Sequence, residues 1–248
     1  LFETYFANDG AADAAEFNRT RELIDQMLDA LAGIENPAPR SLIAGLDARA
    51  TLPMLPSAIL RSYLNHSLFN LKHVTETVTP GRTVSVPVVM SALRVSLLAS
   101  SRLSYVVAAP DAAVGSERMD TILALEARSV KQYIRKFQAQ SELPGMHPAP
   151  GTSVTVFASM PFPRVEMTEG RLLGNLKAET LAEIVAQTGH PVGVIDVLTD
   201  HLFQTTSGAA HGYMWVDLEG VVAHFVPQLG WTATIANIVL TKFMKALS

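Results

Sequence analysis

The chain has 248 residues, of which 48% are apolar and 17% charged, with a formal net charge of −4 and no cysteine. That length and apolar share suffice for one large hydrophobic core, while the missing cysteine excludes a disulfide framework, a thiolate nucleophile and any Cys-ligated metal. The slightly acidic balance gives no chain-wide electrostatic case for RNA or DNA and leaves only a local basic patch open.

The start, Leu1-Phe-Glu-Thr-Tyr5, has no basic region leading into an apolar core. No secretory signal is read there, and the lack of an initiating Met points to a beginning further upstream. A cytoplasmic protein is expected. From about Asp13 to Glu35, Phe17, Thr20, Ile24, Met27, Leu31 and Ile34 recur at steps of three and four, which predicts an amphipathic helix. Asn36-Pro-Ala-Pro39 ends it, because proline removes a donor and restricts the residue before it. Residues 40–56 leave room for a short helix bounded by prolines. A second long helix is predicted over Ser57 to Val78, with Leu60, Leu64, Ser67, Leu71, Val74 and Val78 as its buried stripe. His66, Asn70, His73 and Glu76 form a polar stripe on the same helix. His66 and His73 stand two turns apart, roughly 10 Å along the axis, too far to share a metal ion that each would hold at about 2 Å. The stripe reads as a solvated face, and neither metal nor other cofactor is expected.

Residues 84–109 are the most hydrophobic segment. Their length matches a membrane span of about 20 residues, but Arg94, Arg102 and six serines argue against one, so no membrane partner is expected. A central buried helix starting near Pro87 is predicted instead, with Ser91, Ala92, Ala99 and Ser100 letting neighbouring helices approach closely. Its two arginines need anionic or carbonyl partners. Pro110 to Gly115 reads as a turn and Ser116 as the cap of the next helix, which runs to about Gln140. Along that helix Met119, Leu123, Glu126, Val130, Tyr133 and Phe137 share one stripe, whose only charge is Glu126. Arg94 or Arg102 is its expected partner.

Prolines at 144, 148, 150, 161 and 163 make residues 141–167 an expected long irregular loop, with Ser153-Val-Thr-Val-Phe157 as one short extended piece. Helix resumes behind a Thr168 cap and runs to Thr188, with Leu172, Leu173, Leu176, Leu181 and Ile184 inside, until Gly189-His-Pro191 breaks it. In the helix from about Val192, Asp200, Gln204, Ser207 and His211 fall on one stripe, while Leu198, Leu202, Phe203 and Ala209 are expected to bury on other faces. Gly208 and Gly212 permit close approach by another helix or a ligand. The last helix spans about Pro227 or Leu229 to Leu247. With no repeat and no strand series, residues 1–248 read as a single all-α domain, a helical bundle.

Asp200, Ser207 and His211 suggest a hydrolase triad, but geometry defeats it. Asp200 and His211 are eleven residues apart, roughly 16 Å along a helix, where a triad needs direct hydrogen bonds. No nucleophile elbow, phosphate loop, dinucleotide fingerprint, His-Glu-x-x-His or calcium loop occurs. His211 is the one acid/base candidate, since histidine titrates unperturbed near neutral pH; the alternative is a structural histidine in a helix interface. Arg94, Arg102, Glu126, Gln204 and Ser207 are the candidates for a binding or buried polar cluster.

The run Pro87-Val-Val-Met-Ser-Ala-Leu-Arg94 is followed by Arg102, Pro110-Asp, Glu117-Arg118, the Pro163-to-Leu176 segment and Leu202-Phe-Gln-Thr-Thr-Ser-Gly-Ala-Ala-His-Gly212. In that order, over residues 87–215, it resembles a largely uncharacterised helical family of bacterial proteins. The Ser-Gly-Ala-Ala-His-Gly ending also resembles the last helix of HEPN-like domains, helical bundles found in toxin, defence and RNA-processing systems. Active HEPN ribonucleases carry an arginine a few positions before the histidine. Here only His211 matches, and Gln204, Thr205 and Thr206 stand where the arginine is expected. The resemblance therefore implies a HEPN-like bundle tied to RNA or defence biology and inactive as a nuclease. Two other readings stay open: a non-catalytic scaffold forming a homodimer through apolar helices, and a small-ligand binder with its pocket between the central helix and the 200–212 helix.

Overall fold

The apolar stripes become nine helices in the computed structural model, which describes residues 10–50, 54–78, 85–139, 152–163, 165–210 and 225–248. In chain order they are α1 (Gly10–Ala32), α2 (Leu42–Arg49), α3 (Pro56–Thr77), α4 (Val86–Val107), α5 (Ala112–Ala139), α6 (Thr152–Ser159), α7 (Glu169–Thr188), α8 (Val192–Ala210) and α9 (Phe225–Leu247). Among the described residues there is no strand. The described residues form an all-helical bundle.

Helix α4 is its axis, packed against α3, α5, α7, α8 and α9. Leu93, Leu97 and Leu103 are wholly buried, and so are Ser96, Ser101 and Ser104. By length and composition α4 is the one described helix able to cross a membrane, yet 61% of its apolar window is buried inside the protein. Buried hydroxyls need partners. Ser67 Oγ on α3 supplies them for Ser96 and Ser100, lying 2.9 Å from each Oγ, and Ser101 Oγ donates to the Leu98 carbonyl at 2.8 Å, whereas Ser104 Oγ is buried without a partner among the described residues. These small side chains let α3 and α4 pack closely, so Leu60, Leu64, Leu71 and Val74 reach the core as their spacing predicts.

Capping explains where several helices begin and end. Ser41 Oγ accepts from Ala44 N–H and starts α2, the short helix for which residues 40–56 left room. Thr168 caps α7 as expected, and Gly189 ends it at φ 69°, a left-handed conformation that glycine adopts without strain. Ser116 does not cap α5. Asp111 Oδ1 does, accepting from the N–H groups of Ala113 and Val114 at 2.8 and 2.9 Å, which moves the start forward and places Val114 and Gly115 inside the helix. Gly115 suits that position, because a Cβ there would lie 2.9 Å from Leu46 Cδ2 on α2.

Three further expectations are corrected. Thr152–Ser159 is helical rather than extended: no proline interrupts those eight residues, and packing on α5 overrides their β-branched content. The α5 stripe is buried at Met119 and Leu123, but Glu126 and Val130 are half-buried, since they line a cavity, and Tyr133 is exposed. Leu198 is exposed with Val192, Val194 and Val197, because α8 turns Ile195, Thr199, Leu202 and Thr206 inward. Thr199 and Thr206 can bury because each hydroxyl donates to the carbonyl four residues earlier, at 2.7 Å.

Candidate functional site

A cavity of about 910 Å³ opens between α3, α4, α5 and α6. Ile59, Leu98, Ala99, Leu123, Val130 and Phe157 make much of its apolar wall. Met54, Val95 and Val156 also line it and are exposed. Each element contributes for a local reason: helical periodicity on α3 that buries Leu60 and Leu64 also turns in Tyr63, and Phe157 on α6 packs against Phe162 with the rings tilted by 56° and their centroids 5.4 Å apart.

One part of this wall is polar. The Tyr63 hydroxyl donates to Glu126 Oε1 at 2.7 Å, and Arg102 Nε lies 3.5 Å from the same oxygen. The Arg102 guanidinium also stands over the Tyr63 ring, 6.0 Å from its centroid. Arg102 Nε is buried without a hydrogen-bond partner. Burial pushes the Tyr63 phenol well above its ordinary range, and the charge and hydrogen bond of Glu126 push the same way against a smaller opposing pull from Arg102. Tyr63 is therefore a neutral donor throughout the physiological range. Its phenol is not poised for proton transfer at neutral pH. Ser62 and His66 line the same cavity.

The candidate residues thus divide. Arg102 and Glu126 meet, between α4 and α5. Arg94 goes elsewhere, its Nη2 3.5 Å from Glu169 Oε2 in the first turn of α7. Burial lowers the Arg94 pKa and Glu169 opposes that shift. Arg94 also lines a smaller recess of about 390 Å³ with Gly170, Leu173, Phe203, Gln204, Ser207 and Gly208. Asp200 is held on the outside by Lys177, whose Nζ is 2.9 Å from Asp200 Oδ1 and 3.1 Å from Asp196 Oδ1. His211 and Gly212 lie outside the described residues. Among the described residues no three His, Asp or Glu side chains converge as a metal site.

Sequence reasoning missed Tyr63. The usable signal was an aromatic hydroxyl beside the buried stripe of a helix, since a buried phenol normally requires a hydrogen-bond partner. No protein-family model matches the chain, and no curated protein or solved structure is significantly similar to it.

Proposed function

We propose that this protein binds a small, largely apolar molecule in the cavity between α3, α4, α5 and α6. The observation that carries this is the cavity itself. Its volume of about 910 Å³ falls in the range of drug-sized ligand sites, and its apolar wall carries one convergent polar cluster, Tyr63, Arg102 and Glu126. Filling the cavity from its wall tests the reading. Wild-type protein should enhance the fluorescence of the neutral, polarity-sensitive dye Nile red. Leu98→Trp should weaken that binding at least tenfold while melting cooperatively. Dye binding unaffected by Leu98→Trp would place the dye elsewhere and remove the support.

The Arg94 recess favours a second reading, the HEPN-like bundle associated with RNA or toxin and defence systems and inactive as a nuclease. Gln204 and Ser207 line that recess beside Arg94, and His211 follows Ser207 by four residues. Gel-shift titration with single-stranded RNA tests it: the wild type should bind and Arg94→Ala should not, with no cleavage by either. A homodimeric scaffold is supported by the apolar outer face of α8, Val192, Val194, Val197 and Leu198. Light scattering should then report a dimer that Val197→Asp dissociates.

A further inference from the structure

The polar wall of the cavity defines the head group a ligand would carry, an inference that rests on the ligand-binding reading above. A guanidinium has five N–H donors in a fixed fork. Among the described residues Arg102 places none of them in a hydrogen bond: Nε is buried and unpartnered, and its contact with Glu126 Oε1 spans 3.5 Å, beyond good hydrogen-bond geometry. Glu126 Oε1 is already engaged by the Tyr63 hydroxyl, which is a short and well-made bond at 2.7 Å. The wall therefore offers unmet donors beside a carboxylate that has one oxygen engaged by Tyr63 and acceptor capacity left over.

Charge decides which acceptor fits. Arg102 and Glu126 balance one another, and the third member, Tyr63, is neutral. An anionic head would set a second negative charge beside Glu126, and a cationic head a second positive charge beside Arg102. Either repulsion is strengthened by the apolar surroundings of Leu98, Ala99, Leu123 and Val130. A neutral carbonyl oxygen accepts from the guanidinium without disturbing the pair, and an amide N–H can at the same time donate to Glu126. We propose that the cavity takes a neutral molecule with an apolar body and a carbonyl-type head, an acyl amide being the simplest example.

Displacement of Nile red by octanamide, octanoate, octylamine and octane tests this on the whole protein. These probes share one chain and differ in the head. Octanamide should displace the dye at about ten- to hundredfold lower concentration than octane, the range that hydrogen bonds to a charged partner supply. Octanoate and octylamine should both be weaker than octanamide. The double variant Arg102→Met with Glu126→Gln removes both charges together, and should keep octane binding while losing the preference for the amide. Arg102→Lys, which keeps the charge and loses the fork, should lose most of it and serves if the double variant does not fold. Tighter binding of octanoate or octylamine than of octanamide overturns the neutral-head assignment. Equal displacement by all four leaves an apolar ligand site standing and overturns this inference alone. Failure of Nile red to bind the wild type removes the ligand-binding reading and this one with it.

Discussion

Tyr63 and Glu126, 63 residues apart in the chain, are joined by a 2.7 Å hydrogen bond that ties α3 to α5. The bond places a phenol and a carboxylate side by side in an apolar wall, and Arg102 from α4 closes the group. Three helices thus meet through polar atoms at a point where the remaining contacts are hydrophobic. Breaking one member should be felt by the other two.

Glu126→Gln is the direct probe of that group. Glutamine can still accept from Tyr63, so the variant chiefly removes the charge opposite Arg102. The two side chains are 33% and 20% exposed, which lets water compensate in part. A loss of about 1–3 kcal/mol is expected, below the cost of breaking a fully buried pair. Equilibrium urea unfolding measures it, and an unchanged midpoint would show that the pair contributes nothing.

Tyr63 should resist ionisation. Its pKa in the folded protein is raised by burial and by Glu126, so its contribution to stability is fully present below the unfolded value of about 10 and is lost as pH rises toward the folded value. Phenolate absorbance in an alkaline titration should show one of the five tyrosines ionising only with unfolding. Tyr63→Phe should remove that late component. A Tyr63→Phe titration identical to the wild type would show that the resistant tyrosine is another one.

Two glycines should respond in opposite directions. A Cβ on Gly45 would lie 2.7 Å from Ala112 Cβ, an atom with no rotamer by which to move away. Gly45→Ala should therefore separate α2 from α5 and cost about 1–3 kcal/mol. Gly174 lies inside α7, and nothing stands within 4 Å of a Cβ there. Gly174→Ala should stabilise by about 0.5–1 kcal/mol, because alanine loses less backbone entropy in a helix. Thermal melts that moved both variants in the same direction would contradict this packing.

Lys177 tethers α7 to α8 through Asp196 and Asp200. Burial lowers its pKa, but the hydrogen bonds and charges of the two aspartates outweigh that and leave it raised. Both carboxylates are about half exposed, so Lys177→Met should cost only about 0–1 kcal/mol at neutral pH and less in high salt. A raised lysine contributes below its unfolded value of about 10.4 and loses that contribution as pH climbs through the folded value. The gap between wild type and variant, read from urea midpoints, should close on the alkaline side. A gap that widened there would contradict the tether.

Local periodicity determined much of the fold. Leu60, Leu64, Leu71 and Val74 marked the inner face of α3, Thr168 and Gly189 marked the two ends of α7, and the serines of α4 marked a helix that others approach closely. Such signals are legible because they depend on backbone bonds and side-chain spacing within one turn or two. The candidate site was legible only in part. Spacing narrowed the partner of Glu126 to Arg94 or Arg102, but both sit on α4, and the choice depended on where other helices pack: Glu169 on α7 takes Arg94 and leaves Arg102 for Glu126. The rotation of α8 that exposes Leu198 and buries Thr199, the folding of Thr152–Ser159 into α6, and the cavity that brings in Tyr63 were likewise decided by tertiary structure. A cavity is a property of how helices distant in sequence fail to fill the space between them, and no single segment carries that information.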